Sequence, residues 1–244
     1  MNETTRIFGI RAVIEAIESG KSIEKIFIQK GLSGSLFQEL NRHLKDGSYN
    51  VSYVPIEKLN KLSKGNHQGV VANISPVSFI SLEKLVEKAQ NASTIPLFLL
   101  LDGLTDVRNF GAIIRTAECC GVSGIIIQEK GSAPINADTV KTSAGAVFKV
   151  PICKVNHILD AVYHLQTYDI NVIAATEKTY DVIYDLNLNQ PLAIVMGNEA
   201  KGVSNSILKS VNNKAKLPML GSIASLNVSV ACGAFLYEVV RQRL

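Results

Sequence analysis

Five polar side chains in three glycine-marked turns have the types and placement to bind an anionic ligand. The turns span residues 105–115, 197–202 and 218–229, and their candidate side chains are Asn109, Arg115, Glu199, Ser225 and Asn227. An arginine beside a helix N-terminus offers forked donors and a partial positive charge, which suit a phosphate or a developing oxyanion. A carboxylate such as Glu199, directly after a buried strand, is unfavourable there unless it is paired or functional.

Each of these residues also has an ordinary structural interpretation. Asn109 could cap the helix that begins at Phe110, since its side chain can satisfy a free backbone N–H. Arg115 could pair with an acidic neighbour, Glu118 or Asp106. The turn at Gly197 could be a plain turn, Ser225 could cap the last helix, and Asn227 could lie in its first turn. The joint occurrence of the three turns favours a site.

Short apolar strands precede these turns and alternate with helices. The predicted strands are Leu97–Leu101, Gly124–Gln128, Asn171–Ala175, Leu192–Met196 and Ala215–Leu217. Strands this apolar, without period-two alternation, are typical of a parallel sheet that is covered on both faces. Loops that leave the carboxyl ends of parallel strands gather at one edge, so the three turns should meet there. A last helix should begin near Ser225.

The first 75 residues predict a separate small α/β domain. Its elements are helices around Val13–Ile17, Leu36–Leu44 (ending near Asp46-Gly47) and Glu57–Leu62, and strands at Lys25–Gln29, Asn50–Val54 and Val70–Ile74. Residues 76–94 form a connection with one amphipathic helix, Leu82–Ala89. We therefore expect domains at 1–75 and 95–244, joined by the 76–94 linker.

Composition excludes several classes of protein. The longest apolar runs fall short of the roughly 18 to 20 residues of a membrane span, and the N-terminus lacks an apolar signal core, so we expect a cytoplasmic protein. Four cysteines without Cys-x-x-Cys spacing and four scattered histidines predict reduced thiols and no metal site. The net charge of +4 permits a polyanionic partner. The glycine fingerprint of dinucleotide-binding oxidoreductases and the phosphate loop of nucleotide hydrolases are both missing from the sequence.

The three turns resemble the three motifs of the SpoU branch of the SPOUT RNA ribose 2'-O-methyltransferases. The matching segments are Asp106 through Arg115, Gly197 through Gly202 and Leu217 through Ser229. Enzymes that methylate a guanosine of large-subunit (23S) ribosomal RNA are the most similar, because Ile7-Phe8-Gly9 and His67-Gln68-Gly69-Val70 also match. One departure is Val107, where the family usually has proline; proline fixes φ, so Val107 loosens the loop without removing a reactive group.

This resemblance implies a trefoil-knot catalytic domain with a mostly parallel sheet, preceded by a small domain like ribosomal protein L30 that selects the RNA. It also implies S-adenosylmethionine as the cofactor, and a homodimer formed through the catalytic domain. The residues expected to line the cofactor site are Gly197, Asn198, Leu217, Met219 and Leu226.

The catalytic roles implied by the resemblance centre on Arg115. A guanidinium with a pKa above about 12 rarely gives up a proton, so Arg115 is expected to hold the RNA phosphate and to stabilise the emerging alkoxide. Glu199 or the phosphate would accept the proton, and Asn109, Ser225 and Asn227 would orient the ribose and Arg115. A transfer RNA methyltransferase and a non-catalytic RNA-binding assembly factor remain alternatives.

Overall fold

The computed structural model describes residues 6–46, 49–222 and 225–244. The chain divides into two compact units, one of residues 1–78 together with 135–137, and one of residues 79–134 and 138–244. The predicted end of the second helix at Gly47, the first five residues of the predicted N-terminal domain and two residues of the third turn, Ile223 and Ala224, lie outside the described residues.

The described residues of the N-terminal unit form a four-stranded mixed sheet with three helices. In chain order its elements are β1 Arg6–Phe8, α1 Ile10–Glu18, β2 Ile23–Gln29, α2 Ser35–Asp46, β3 Val51–Val54, α3 Ile56–Leu62 and β4 Val70–Ile74. The strand order is β1-β4-β2-β3, in which β4 runs antiparallel to both neighbours and β2 runs parallel to β3. The main apolar core is formed by buried residues of α1, α2, β2 and β4.

The turn before β4 is fixed by side-chain hydrogen bonds. The backbone N–H of Gly69 donates to Nδ1 of the buried His67 at 3.0 Å, and the other ring nitrogen lies 2.8 Å from Oδ1 of Asn60. Gln68 accepts from the backbone N–H of Ile10 at 3.3 Å, which gives the start of α1 a side-chain acceptor that the preceding glycine lacks. This turn therefore serves the local structure of the N-terminal unit.

The second unit alternates strands and helices. Its elements are α4 Leu82–Gln90, β5 Leu97–Leu101, α5 Val107–Cys119, β6 Gly124–Gln128, α6 Ala137–Thr142, β7 Ile152–Val155, α7 Ile158–Gln166, β8 Asn171–Ala175, β9 Leu192–Met196, α8 Asn205–Ser210, β10 Asn213–Ala215 and α9 Val228–Arg243, with single 3-10 turns at Ala146–Phe148 and Ile183–Asp185. The strand order is β10-β8-β9-β5-β6-β7, and every pairing is parallel.

Both faces of this sheet are covered. Phe98 and Leu100 of β5 and Ala193 and Val195 of β9 join one apolar cluster with residues of α4, α7 and α8. The strand residues whose side chains point to the other face of the sheet, such as Leu99, are equally buried. Helices α5 and α9 pack against each other. The two-sided burial explains why these strands are apolar throughout.

Five of the strand predictions match the observed bounds, those of β4, β5, β6, β8 and β9. The strands β1 and β7 were not predicted, because one is three residues long and the other follows Pro151 and carries a lysine. The strand predicted at Ala215–Leu217 lies at Asn213–Ala215. The last helix begins at Val228 and not near Ser225, so the third turn is longer than expected.

The C-terminal end of α9 is fastened to the amino ends of two central strands. The Arg243 guanidinium donates to the backbone carbonyls of Ile95 and Pro96, just before β5, and of Leu188 and Gln190, just before β9, at 2.7 to 3.3 Å. These acceptors have no negative charge, and partial burial lowers the pKa of this guanidinium. One side chain thus holds the end of the chain to the start of the sheet.

Among the described residues, no helix combines the length and the apolar character that crossing a lipid bilayer requires.

Candidate functional site

The three turns lie at the carboxyl edge of the parallel sheet. The first follows β5, the second follows β9, and the third follows the edge strand β10. Since β5 and β9 are neighbours, their loops leave the sheet side by side, and Asn198 Nδ2 donates to the carbonyl of Gly103 at 2.8 Å between them. The expected meeting of loops at one edge is confirmed.

Asp106, and not Asn109, caps α5. Its Oδ1 accepts from the backbone N–H groups of Arg108 and Asn109, each at 2.8 Å. Val107 is the first helical residue, and Asn109 lies within the first turn of the helix. The capping interpretation of Asn109 was therefore wrong, because the aspartate three residues earlier already satisfies the free backbone groups. The Asn109 amide remains available for other contacts.

The Asn109 amide joins all three loops. Its Nδ2 donates to Oε1 of Glu199 at 2.8 Å, and its Oδ1 accepts from Nδ2 of Asn227 at 3.1 Å. Both bonds link residues about 90 or more positions apart in the chain. This chain of hydrogen bonds fixes the orientation of all three side chains. It leaves Oε2 of Glu199 without a hydrogen bond to the described residues.

The second loop is closed on itself. Asn198 and Gly202 exchange backbone hydrogen bonds at 3.2 and 2.8 Å, and the Asn198 side chain accepts from the backbone N–H groups of Ala200 and Lys201. A side chain at Gly197 would overlap the backbone of Gly202. Glycine is therefore required at 197 by the loop itself, and the Asn198 side chain holds the loop in shape.

The Glu199 carboxylate is exposed, so the expected penalty of burial does not apply to it. A buried carboxylate lies at Asp102, at the end of the neighbouring strand β5, and its Oδ2 accepts from the backbone N–H of Ser204 at 2.7 Å. Asp102 thus ties the end of β5 to the end of the second loop. Sequence reasoning missed this role, although Asp102 directly follows a predicted strand.

Asn227, and not Ser225, caps α9. The Asn227 Oδ1 accepts from the backbone N–H and the hydroxyl of Ser229 at 2.9 and 2.6 Å. Ser225 and Leu226 are exposed and precede the helix. The cap interpretation of Ser225 and the first-turn interpretation of Asn227 were both wrong, because the helix begins three residues later than the pattern indicated.

Arg115 is exposed on α5 and makes no hydrogen bond or ion pair in the described parts of the chain. Its two predicted acidic partners are engaged elsewhere, Glu118 with Lys149 at 3.1 Å and Asp106 with the start of α5. Gly111, one turn before Arg115, is buried, and a side chain there would overlap Thr142 of α6. Gly111 therefore permits the close packing of α5 against α6.

A cleft of about 720 Å³ opens beside the second and third loops. The predicted cofactor residues Gly197, Asn198, Leu217, Met219 and Leu226 all line it, together with Glu199, Ser225 and Asn227. Asn109 is outside this lining but is bonded to two of its members, and Arg115 is outside it as well. Apolar residues of α9, Val228, Ala231 and Phe235, close one wall.

Four further residues of the cleft were missed by sequence reasoning. Thr176, Glu177 and Lys178 follow β8, and Lys216 follows β10. The strand prediction at Asn171–Ala175 already placed residues 176–178 at the same sheet edge, so this signal could have found them. Lys216 was predicted to lie within a strand and carried no such signal.

Burial makes three of the four cysteines poor nucleophiles, and the fourth, Cys119, is exposed. Burial raises the pKa of Cys120 to about 11 and that of Cys153 to about 12, so both stay protonated at neutral pH. No group of three or more histidine, cysteine or carboxylate side chains is arranged to hold a metal ion within residues 6–46, 49–222 and 225–244.

Two family models match this chain. One is described as the SpoU rRNA Methylase family and matches residues 96–237. The other is described as RNA 2'-O ribose methyltransferase substrate binding and matches residues 6–80. A Staphylococcus aureus relative, named TrmH family tRNA/rRNA methyltransferase, is 36% identical over 99% of this chain and 97% of its own.

Solved structures share the fold. The SpoU methyltransferase AviRb from Streptomyces viridochromogenes, in complex with the cofactor AdoMet, gives a TM-score of 0.61 and 26% identity over 98% of this chain and 90% of that chain. The A. aeolicus TrmH/SpoU tRNA modifying enzyme gives 0.57 and 30% identity over 66% of this chain and 82% of that chain. The predicted SPOUT-type fold, with a parallel-sheet domain after a small α/β domain, is confirmed.

Proposed function

The chain belongs to the SpoU rRNA methylase family, and from this premise we propose that it transfers a methyl group from S-adenosylmethionine to the 2'-hydroxyl of a guanosine in large-subunit ribosomal RNA. The observation that carries this proposal is the Asn109 junction, which joins the three loops beside the cleft. A second support is the match of residues 6–80 to a substrate-binding domain of RNA 2'-O ribose methyltransferases.

The cleft suits S-adenosylmethionine in size and chemistry. Its volume lies within the range of small-molecule sites, and its lining combines apolar walls with a few polar groups. Leu217, Leu226 and Phe235 offer apolar contacts for an adenine ring, while the closed loop at Gly197 presents backbone groups. When bound, the cofactor supplies a methyl group that is already activated.

The side chains then have to position the ribose and assist loss of its proton. Arg115 is a permanent cation with no internal partner among the described residues, so it is available to an RNA phosphate and to negative charge on the 2'-oxygen. Glu199 Oε2 is available as a proton acceptor, and Asn109 holds that carboxylate in place through Oε1. Asn227 and Ser225 complete the polar edge of the cleft, where they would orient the ribose.

We assign selection of the RNA to residues 1–75 and catalysis to residues 95–244, with 76–94 as the linker. Exposed basic residues of the N-terminal domain, Arg11 and Lys64 among them, support contact with a polyanion. Arg6 contributes less to binding a polyanion, because its guanidinium already donates hydrogen bonds to the backbone carbonyl of Leu62 and the side-chain amide oxygen of Asn73.

Transfer RNA is the alternative substrate. The A. aeolicus structure is named a tRNA modifying enzyme, and the name of the S. aureus relative includes both tRNA and rRNA. A ribosomal target is favoured by the likeness of Ile7-Phe8-Gly9 and of the His67 turn to enzymes that act on large-subunit ribosomal RNA.

The test is methyl transfer by the purified chain from radiolabelled S-adenosylmethionine to unmodified ribosomal or transfer RNA, followed by digestion to nucleosides and mass spectrometry. We expect one 2'-O-methylguanosine in large-subunit ribosomal RNA. Methylation of transfer RNA alone would overturn the substrate assignment, and a base-methylated product would overturn the 2'-O assignment. RNA binding without any transfer would favour the non-catalytic assembly factor.

A further inference from the structure

A second cavity, of about 820 Å³, runs along the edge strand β10 in the catalytic half of the chain. It is bounded by the segment after β8, by the end of α8 and by β10 itself. We call it the lysine groove, and its lining residues central to the argument are Lys178, Tyr180, Asp181, Lys209, Lys214 and Lys216.

The lysine groove carries a net positive charge. Its four lysines face two carboxylates, Glu177 and Asp181, which leaves a formal excess of two positive charges. No ion pair engages any of the four lysines in the part of the chain that the structure describes. Asp181 is held locally, since its Oδ2 accepts from the Thr179 hydroxyl at 3.2 Å. No carboxylate of the described chain therefore pairs with these ammonium groups, which leaves their charge available to an external anion.

An aromatic side chain stands in the same groove with nothing covering it. Tyr180 is 95% exposed, although a tyrosine without a partner usually lies at least partly against the protein. The ammonium of Lys216 lies 5.5 Å from the centre of its ring. Proteins that bind single-stranded nucleic acids combine cations that contact the phosphates with exposed rings on which bases stack, and this groove has both.

The lysine groove is continuous with the cofactor cleft, because Glu177, Lys178 and Lys216 line both. We propose that this groove holds the single-stranded RNA next to the methylated nucleotide, with its phosphates on Lys209 and Lys214 and one base stacked on Tyr180. The inference rests on the proposed function, since it assigns the RNA path out of the same site. It places part of the RNA contact on the catalytic half of the chain.

The experiment measures binding of the full chain to a labelled oligouridylate of about 12 nucleotides by fluorescence anisotropy at several salt concentrations. Lys209 and Lys214 do not line the cofactor cleft. The double variant Lys209→Ala with Lys214→Ala should weaken RNA binding about tenfold. The slope of the logarithm of the binding constant against the logarithm of the salt concentration should also become shallower by about 1.4, at about 0.7 for each lost phosphate contact. The matched control is Lys84→Ala with Lys88→Ala, which removes two exposed charges from α4 and should change neither quantity.

Tyr180 tests the stacking contact separately from charge. Tyr180→Ala should weaken binding at least about fivefold, whereas Tyr180→Phe, which keeps the ring, should bind like the unchanged chain. All variants should retain the affinity for S-adenosylmethionine measured by calorimetry, which also shows that they are folded.

The inference fails if the Lys209 and Lys214 double variant binds RNA as tightly as the α4 control. It also fails if the loss of RNA binding coincides with a change of oligomeric state in sedimentation, because the groove would then be an interface between copies. Failure of the proposed function is seen independently, as absence of methyl transfer by the unchanged chain.

Discussion

Arg115 is the exposed cation of α5 whose predicted acidic partners are both engaged with other residues. Glu118 is held by Lys149, and Asp106 caps the helix. If the proposed site binds RNA, an arginine without an internal partner on the helix after the first loop is suited to act on charge that develops during the reaction. This assigns to Arg115 a contribution that appears in the transition state more than in cofactor binding.

Arg115→Ala should therefore reduce single-turnover methyl transfer by on the order of a hundredfold or more, as expected when a donor to a developing oxyanion is lost. Affinity for S-adenosylmethionine and thermal stability should stay unchanged, because the side chain lies outside the cleft lining and is exposed. Arg108→Ala, which removes another exposed arginine from the same helix, is the matched control. If the two variants lose methyl transfer to the same extent, Arg115 contributes only general positive charge and has no specific role in the reaction.

Val107 occupies the first helical position of α5, where proline is especially favourable. Asp106 before it has φ −77° and ψ 120°, a conformation compatible with a following proline. Val107→Pro should raise the free energy of unfolding by about 0.5 kcal/mol through a less flexible unfolded chain. Thermal denaturation measures this, with Val107→Ala as the control that changes the side chain without fixing φ. A lower melting temperature for Val107→Pro would contradict the assignment of this position.

At the scale of elements, the end of α9 depends on one guanidinium. Arg243 donates to four backbone carbonyls that precede β5 and β9. Arg243→Ala should lower the free energy of unfolding by about 3 kcal/mol, because a charged donor is lost and partly buried carbonyls are left unsatisfied. The free energy of unfolding of Arg243→Lys should lie between those of Arg243→Ala and the unchanged chain, since an ammonium group cannot reproduce the planar, forked donors of a guanidinium.

Chemical denaturation of the full chain measures these differences. The exposed Lys88→Ala serves as the control and should remain within about 0.5 kcal/mol of the unchanged chain. An Arg243→Ala variant as stable as this control would show that the carbonyl contacts do not fasten the helix end.

The sequence was sufficient for the elements with strong patterns. Strands β5, β6, β8 and β9 are apolar because both sheet faces are covered, and this pattern fixed their bounds. Capping residues were harder, since Asp106 competes with Asn109 and Asn227 with Ser225, and short-range propensity does not decide between close neighbours. The Asn109 junction depends on contacts across 90 to 118 positions, which a single sequence does not encode locally.

The sequence therefore predicted which loops form the candidate site, but it did not predict the hydrogen bonds between their side chains. The residues lining the cleft after β8 were overlooked because they carry no glycine-marked motif, although Thr176 and Glu177 follow a correctly predicted strand. The resemblance to a known family identified the loops that matter. The structure then showed which side chains within them are bonded to one another and which are left for ligands.

At the scale of the whole molecule, α9 carries exposed apolar side chains that the isolated chain leaves uncovered. Val230 and Tyr237 are each 56% exposed and lie two helical turns apart, so they share one face of the helix. We propose that this face forms the homodimer contact that the family resemblance implies, because exposed apolar patches mark sites of association. The position of this face on α9 also predicts that the dimer contact is formed by residues 95–244 and does not require the N-terminal domain.

Sedimentation of the full chain should therefore give a dimer, and Val230→Glu with Tyr237→Glu should convert it to a monomer, because two charges would face their symmetry-related copies across a two-fold interface. Ile56→Glu, which places one charge on a similarly exposed apolar residue of the N-terminal unit, should leave the dimer intact and is the control. If the site is completed by the second copy, the monomeric variant should also lose methyl transfer, although its circular dichroism spectrum should show that it remains folded. A double variant that remains dimeric would exclude this face of α9 as the interface, and an unchanged chain that sediments as a monomer would contradict the expected homodimer.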